Sequence, residues 1–305
     1  MSFHLPFRKR IPVPSAALEG VLWMLVSAAF FSLLNFVIRL ASSELHPFVI
    51  VFYRCLFSLV FMLPWLLRAG LGGMRTRRAK LYLTRSLTGL AAMLTWFTGL
   101  SLMPLGTAVA LGFTAPLFAT VGAALFLGEV VRRRRWTATA VGFLGVLIVI
   151  RPSPEQVSPA ALLVLLSAAL SAASALQVKS LSRTESTSAM VTYMALFLTP
   201  MSLVPALFVW QWPSWPMLGL LAVGGALATL GQIAITRAFH VADTSAVMPI
   251  DYAKLPFSAL LGWFAFGEVL DVWTWAGAAV IAVSTLYIAH REAMLARRAL
   301  RPEKA

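Results

Sequence analysis

The sequence predicts an all-α integral membrane protein of ten transmembrane helices, arranged as two inverted five-helix repeats. Composition predicts the class: of 305 residues, 60% are hydrophobic and 12% are charged. The mean hydropathy of +0.84 exceeds what a soluble domain with a polar surface carries. Ten apolar runs predict the number of spans, and an internal duplication predicts the two repeats.

The apolar runs have lengths near the roughly 20 helical residues that cross a hydrocarbon core. They cover approximately residues 18–38, 48–67, 81–101, 105–127, 136–151, 159–179, 188–210, 215–236, 244–266 and 273–290. The gaps between them are loop-sized, so no soluble domain is predicted. Residues 1–17 and 291–305 are basic and are predicted to be cytoplasmic tails.

The positive charges test this count, because short loops rich in Lys and Arg stay cytoplasmic. If the N-terminus is cytoplasmic, 21 of the 25 Lys and Arg residues fall in the tails or on the cytoplasmic side of the spans. We therefore expect both termini inside and location in a bacterial-type inner membrane. The net charge of +14 then reflects topology and lipid contact, not nucleic-acid binding, which needs cations gathered on one water-facing surface.

The duplication appears when the chain is shifted by 139 positions. Gly128-Glu129-Val130 then superposes on Gly267-Glu268-Val269, and Trp136 on Trp275. The four arginines of 132–135 align with Asp271-Val272-Trp273-Thr274, so the equivalent hairpins differ strongly in charge. They should point to opposite sides of the membrane, as in an inverted-topology repeat. The predicted repeats are residues 18–152 and 153–290.

Asp251 and Lys254 are the leading candidates for substrate binding, since charged groups at membrane depth are costly unless paired or in a wet cavity. Their i, i+3 spacing places them on one helical face, and the flanking prolines Pro249 and Pro256 free backbone carbonyls. With the Tyr252 hydroxyl they could bind a zwitterionic or polar metabolite. The alternative is a structural ion pair that stabilises a kinked helix.

Other polar groups within the spans have two interpretations each. Trp96 could stack on a ring or a methyl-sulfonium group, or could be an interfacial anchor. Thr114 lies beside Pro116, which should kink the fourth helix. The kink could expose Thr114 to substrate, or it could be a structural feature satisfied by neighbouring helices. Neutral polar side chains could face a cavity or could bond to a neighbouring helix; these are Asn35, Gln177 and Gln232.

Two arginines are predicted to act as gates. Arg54 lies near the outer surface and Arg85 near the inner one, and each could close an end of a pathway by pairing with a glutamate or could extend to lipid headgroups. Glu129 and Glu268 end apolar segments, where a role in topology or packing is expected.

Several short motifs together resemble the drug/metabolite transporter superfamily, specifically its EamA-type members with ten helices in two repeats. They are Phe52-Tyr53-Arg54, Leu102-Met103-Pro104, Phe126-Leu127-Gly128-Glu129 and Phe266-Gly267-Glu268. The resemblance covers residues 18–290. It implies an alternating-access carrier with a central cavity, similar to bacterial members for S-adenosylmethionine, riboflavin or amino-acid-type metabolites.

The resulting prediction is a secondary transporter of a small polar metabolite. No nucleotide-binding loop occurs, one cysteine and four scattered histidines form no metal cluster, and no cofactor is predicted. The alternative is a polytopic membrane enzyme acting on lipid or isoprenoid substrates. The sequence leaves the substrate, the direction of transport, proton coupling and the oligomeric state open.

Overall fold

The computed structural model describes residues 14–69, 78–126, 133–151, 158–181, 187–241 and 248–299. Every regular element in these ranges is helical. The helices are α1 (Pro14–Ala41), α2 (Pro47–Ala69), α3 (Ala79–Leu102), α4 (Leu105–Gly112), α5 (Ala115–Phe126), α6 (Arg133–Ile150), α7 (Pro159–Leu181), α8 (Thr187–Leu207), α9 (Trp215–Val241), a 3-10 segment (Met248–Ala253), α10 (Lys254–Phe266) and α11 (Val272–Ala299).

Each of the ten predicted runs coincides with helical structure in the described ranges. Four of these stretches are long and apolar enough to cross a membrane by length and composition, namely Leu18–Ala41, Leu105–Gly122, Pro159–Val178 and Trp215–Ile235. Large apolar side chains such as Leu144 and Leu147 are exposed on the outer faces of the bundle, which suits contact with lipid. Glu129, Arg132 and most of the predicted basic tails lie outside the described residues.

The fourth and ninth predicted helices are both interrupted. The fourth divides into α4 and α5 around Thr114, and the ninth divides into the 3-10 segment and α10. Proline causes these breaks: Pro116 and Pro256 lie in the first turns of α5 and α10, where the missing N–H is tolerated. The second half-helices begin at Ala115 and Lys254, which are 139 positions apart, the same offset as in the sequence duplication.

The helices pack in pairs that join the two halves of the chain. Helix α1 packs on α9, α3 packs on α7, and α6 packs on α11. The broken helices extend this pattern, since α5 packs on α7 and α10 packs on α1. The main core lies between these pairs, and buried residues such as Leu100, Leu105 and Val164 belong to it. Half-helices that pack across the two halves can present side chains to a central space.

Glycine allows the closest of these approaches. A Cβ atom added at Gly277 in α11 would lie 2.7 Å from the Gly145 carbonyl oxygen of α6, well inside van der Waals contact. The contact of α6 with α11 therefore depends on the absence of a side chain at this position.

We predict that Gly277→Ala lowers the melting temperature of the detergent-solubilised protein, because α6 and α11 must move apart. Gly219→Ala in α9 is the matched control, since a Cβ there meets nothing within 4 Å. Alanine favours a helix over glycine by about 1 kcal/mol, so the control is expected to keep or raise the melting temperature. Equal melting temperatures for the two variants would contradict the close packing of these helices.

Candidate functional site

A cavity of about 450 Å³ lies in the centre of the described bundle. Its wall is formed by α1, α2, α3, α7 and α8 together with the breaks in the fourth and ninth helices. Its volume is within the range of about 300–1,000 Å³ typical of small-molecule sites. The cavity extends along α3 from Phe97 to Arg85, so one end lies near the start of that helix.

Asp251 and Lys254 meet in the wall of this cavity. Lys254 Nζ lies 2.6 Å from Asp251 Oδ1, and both side chains are largely buried. Lys254 Nζ also lies 4.9 Å from the centre of the Phe31 ring, a cation–π contact. Ser32 of α1 donates a hydrogen bond to the Lys254 carbonyl oxygen at 3.2 Å, which satisfies one backbone group at the helix break. The break thus places a neutralised pair of charges beside the cavity.

Aromatic rings form a second part of the wall. Trp96 Nε1 donates to Asn35 Oδ1 at 3.3 Å, so the amide holds the indole. The indole also packs on Gly112 at the end of α4, where a Cβ atom would lie 2.9 Å from it. Phe31 and Phe113 line the same cavity. These rings offer flat apolar surfaces next to the polar Asn35 side chain.

Arg54 and Arg85 also line the cavity. Arg54 Nη1 lies 3.4 Å from Met93 Sδ, a weak acceptor. The Nε atoms of both arginines are buried and have no hydrogen-bond acceptor in the described part of the structure. Their gating roles remain a prediction, while their position in the cavity wall is a feature of the fold.

The remaining predicted site residues lie outside the cavity wall. The buried Thr114 hydroxyl donates to the Leu111 carbonyl oxygen at 2.7 Å. Gln177 accepts a hydrogen bond from Thr88 at 2.8 Å and so joins α7 to α3. Gln232 is exposed on α9. Tyr252 packs edge-on against Phe113 with ring centres 4.5 Å apart, and its hydroxyl shares a hydrogen bond with Thr285.

Sequence reasoning missed a polar cluster at the end of α1, which we call the Arg39 cluster; it comprises Arg39, Glu268 and the α3–α4 turn. Arg39 Nη2 lies 3.3 Å from Glu268 Oε1, with side-chain exposures of 22% and 14%. Arg39 also donates to the carbonyl oxygens of Leu100 and Ser101. Glu268 Oε2 accepts the Leu105 N–H at 2.7 Å. The cluster joins three elements from both halves of the chain.

The Arg39 cluster lies directly beyond the cavity, because the preceding residue, Ile38, lines it. Gly267 makes the geometry possible: its φ of +66° caps α10 and turns the chain so that Glu268 follows at once. The sequence signal was present in Arg39 and in the Gly-Glu motif, but the two residues are 229 positions apart. Only the folded chain brings the two side chains together.

Comparison with known proteins decides the family. The profile of the EamA-like transporter family matches residues 18–151 and 158–289, nearly the whole chain. The chain belongs to the EamA-like transporter family. This transporter is 37% identical to the riboflavin transporter of Vibrio cholerae, over 92% of its own length and 96% of the relative's. It is 31% identical to the S-adenosylmethionine uptake transporter of Rickettsia prowazekii, over 90% and 94% respectively.

A solved structure supports the fold of the transporter. A protein of known crystal structure superposes on 94% of this chain over 99% of its own length, with a TM-score of 0.60 and 17% sequence identity. The family match and the named relatives make the protein a transmembrane transporter of small metabolites and not a membrane enzyme. They confirm the family that the sequence motifs indicated.

For the pair in the cavity wall of this transporter, we predict that the single variants Asp251→Asn and Lys254→Met each lower the melting temperature. Either change leaves one charge without its partner in a largely buried site. The double variant Asp251→Asn/Lys254→Met is expected to be more stable than at least one single variant, as measured by thermal unfolding in detergent. Additive destabilisation in the double variant would show that the two charges do not compensate each other.

Proposed function

We propose that the transporter carries a planar heteroaromatic metabolite, specifically a flavin of the riboflavin type. The observation that carries this proposal is the aromatic wall of the cavity: Trp96 is held by Asn35, and Phe31 and Phe113 line the same cavity. Flat rings stack on such surfaces, and Asn35 and the charged residues supply hydrogen bonds to carbonyl and hydroxyl groups. The relative named as a riboflavin transporter covers nearly the whole chain.

S-adenosylmethionine is the second candidate. Its adenine ring also suits an aromatic wall, and its sulfonium group could contact an aromatic face or the Asp251 carboxylate. The uptake transporter from Rickettsia prowazekii supports this candidate at 31% identity. The two candidates differ in charge, since riboflavin is neutral and S-adenosylmethionine is a cation.

The proposed framework is a pair of inverted five-helix repeats, residues 18–152 and 153–290, in the inner membrane with both termini cytoplasmic. Three features support it. The family profile matches two separate ranges. The helix breaks at Ala115 and Lys254 lie 139 positions apart. The packing also follows the duplication. Helices α1 and α3 of the first half correspond to α7 and α9 of the second, and α1 packs on α9 just as α7 packs on α3.

In the proposed mechanism the repeats rock against each other to expose the cavity alternately to the two sides. In this mechanism the Arg39 cluster serves as the closure of the outer end; its contacts between α1, the α3–α4 turn and the end of α10 support that role. Opening that end requires Arg39 to leave Glu268. Both side chains are mostly buried, so separating them without new partners would leave two uncompensated charges, which opposes opening.

The function is tested by counterflow of labelled riboflavin in liposomes that contain the purified protein. We predict that Trp96→Phe lowers uptake severalfold, because the ring loses its hydrogen bond to Asn35. The matched control Trp212→Phe changes an exposed loop tryptophan and is expected to retain parental uptake. Absence of riboflavin counterflow in the parental protein, despite correct reconstitution, would overturn the flavin proposal.

Closure of the outer end is tested by labelling. In a Cys55→Ala background, a cysteine at Ile38 lines the cavity directly behind the Arg39 cluster. We predict that adding Glu268→Gln increases its reaction with a membrane-impermeant maleimide applied outside cells, because the closed state loses its ion pair. Asp271→Asn is the control, since Asp271 pairs with Arg151 and not with Arg39. Unchanged labelling after Glu268→Gln would argue against the closing role.

A further inference from the structure

The charges around the cavity do not balance. Three described acids of the bundle have cationic partners: Asp251 pairs with Lys254, Glu268 with Arg39, and Asp271 with Arg151. Two further described acids, Glu19 and Glu44, are exposed and do not line the cavity. Arg54 and Arg85 line the same cavity and form no ion pair in the described ranges. Counted over its described residues, the cavity wall therefore carries two positive charges in excess.

These two arginines are also short of hydrogen-bond acceptors. Both are half-buried, and each Nε atom is buried without an acceptor in the part of the chain that the structure describes. The acceptors of Arg54 are sulfur atoms: Nη1 lies 3.4 Å from Met93 Sδ, and the side chain also contacts the Cys55 thiol. Both sulfurs are weaker acceptors than an oxygen. A guanidinium group that lacks acceptors at membrane depth is costly, so such groups mark a site for a ligand that supplies them.

The arginines lie at different levels of the cavity. Arg54 lies beside Met93, and Arg85 precedes Met93 by eight residues on the same helix, α3. At 1.5 Å per residue, the two levels are about 12 Å apart. Trp96 follows Met93 by less than one turn, so the aromatic wall lies next to the level of Arg54. A ligand whose ring stacks on Trp96 can place acceptors near Arg54 and extend a polar tail toward Arg85.

We propose that Arg54 and Arg85 set the charge selectivity of the transporter: they bind carbonyl, hydroxyl or anionic groups of the substrate and reject cationic ones. This inference deepens the proposed function, because it favours the neutral flavin over S-adenosylmethionine. It assigns the arginines a substrate-binding role that differs from gating. A lost gate reduces transport of every substrate alike, whereas a lost charge filter changes the ranking of substrates.

The test measures binding to the purified full-length protein with two pairs of probes. The first pair is S-adenosylmethionine and S-adenosylhomocysteine, which share an adenosyl group but differ by one positive charge. The second pair is riboflavin and its anionic phosphate ester. In the parental protein, S-adenosylhomocysteine is expected to bind at least about tenfold more tightly than S-adenosylmethionine, and the phosphate ester no more weakly than riboflavin. The first pair tests the charge rule even if riboflavin itself does not bind.

Three variants complete the test. Arg54→Gln and Arg85→Gln are each expected to weaken riboflavin binding about tenfold. Each is also expected to narrow the difference in affinity between S-adenosylmethionine and S-adenosylhomocysteine. Arg85→Lys keeps the charge and is expected to keep the adenosyl ranking. The matched control Arg237→Gln removes an exposed arginine that contacts Trp23 outside the cavity and should leave the ranking unchanged.

The outcomes separate the two proposals. If the parental protein binds S-adenosylhomocysteine in preference to S-adenosylmethionine but does not bind riboflavin, the flavin proposal fails and the charge rule stands. If S-adenosylmethionine binds as tightly as S-adenosylhomocysteine to the parental protein, the charge rule is overturned. Parental ranking in both glutamine variants would overturn it as well, because the arginines would then not discriminate charge.

Discussion

The cost of placing charged groups inside a hydrocarbon layer is the constraint on which this structure depends. A charge at that depth must be paired within the bundle or must face a wet cavity. Asp251 and Lys254 satisfy the requirement at the centre of the bundle, and Arg39 and Glu268 satisfy it at one end. Both pairs lie at or beside the ends of half-helices, where backbone groups need partners as well. These two pairs therefore lie at the start and just past the end of α10, where the two halves of the chain meet.

The broken helices convert a duplicated fold into a specialised site. The half-helices that follow the two equivalent breaks begin at Ala115 in the first half and at Lys254 in the second. Both residues line the cavity. Gly112 lies at the first break, and its lack of a side chain allows Trp96 to approach. A charged pair occupies the second. The shared backbone shape creates the cavity, and the different side chains give its two walls different chemistry.

Much of the fold and part of the site could be predicted from the sequence. Hydropathy located the helical segments, and prolines located both breaks, because these signals are local. The pairing of Asp251 with Lys254 followed from their spacing of three residues. The partner of Gln177 could not be predicted, since a neutral polar group in a helix can face a cavity or a neighbouring helix and one sequence does not fix its direction. The Arg39–Glu268 pair joins residues 229 positions apart, so only the packed bundle reveals it.

The opposite orientation of the two repeats is the claim on which the proposed mechanism rests, and cysteine labelling at equivalent positions tests it most directly. Arg133 and Val272 begin the last helix of their respective halves, 139 positions apart, and both are exposed. In a Cys55→Ala background, a cysteine at position 272 is expected to react with an impermeant maleimide in intact cells. A cysteine at position 133 is expected to react only after the membrane is permeabilised. Reaction of both from the same side of the membrane would contradict the inverted arrangement and the alternating-access mechanism built on it.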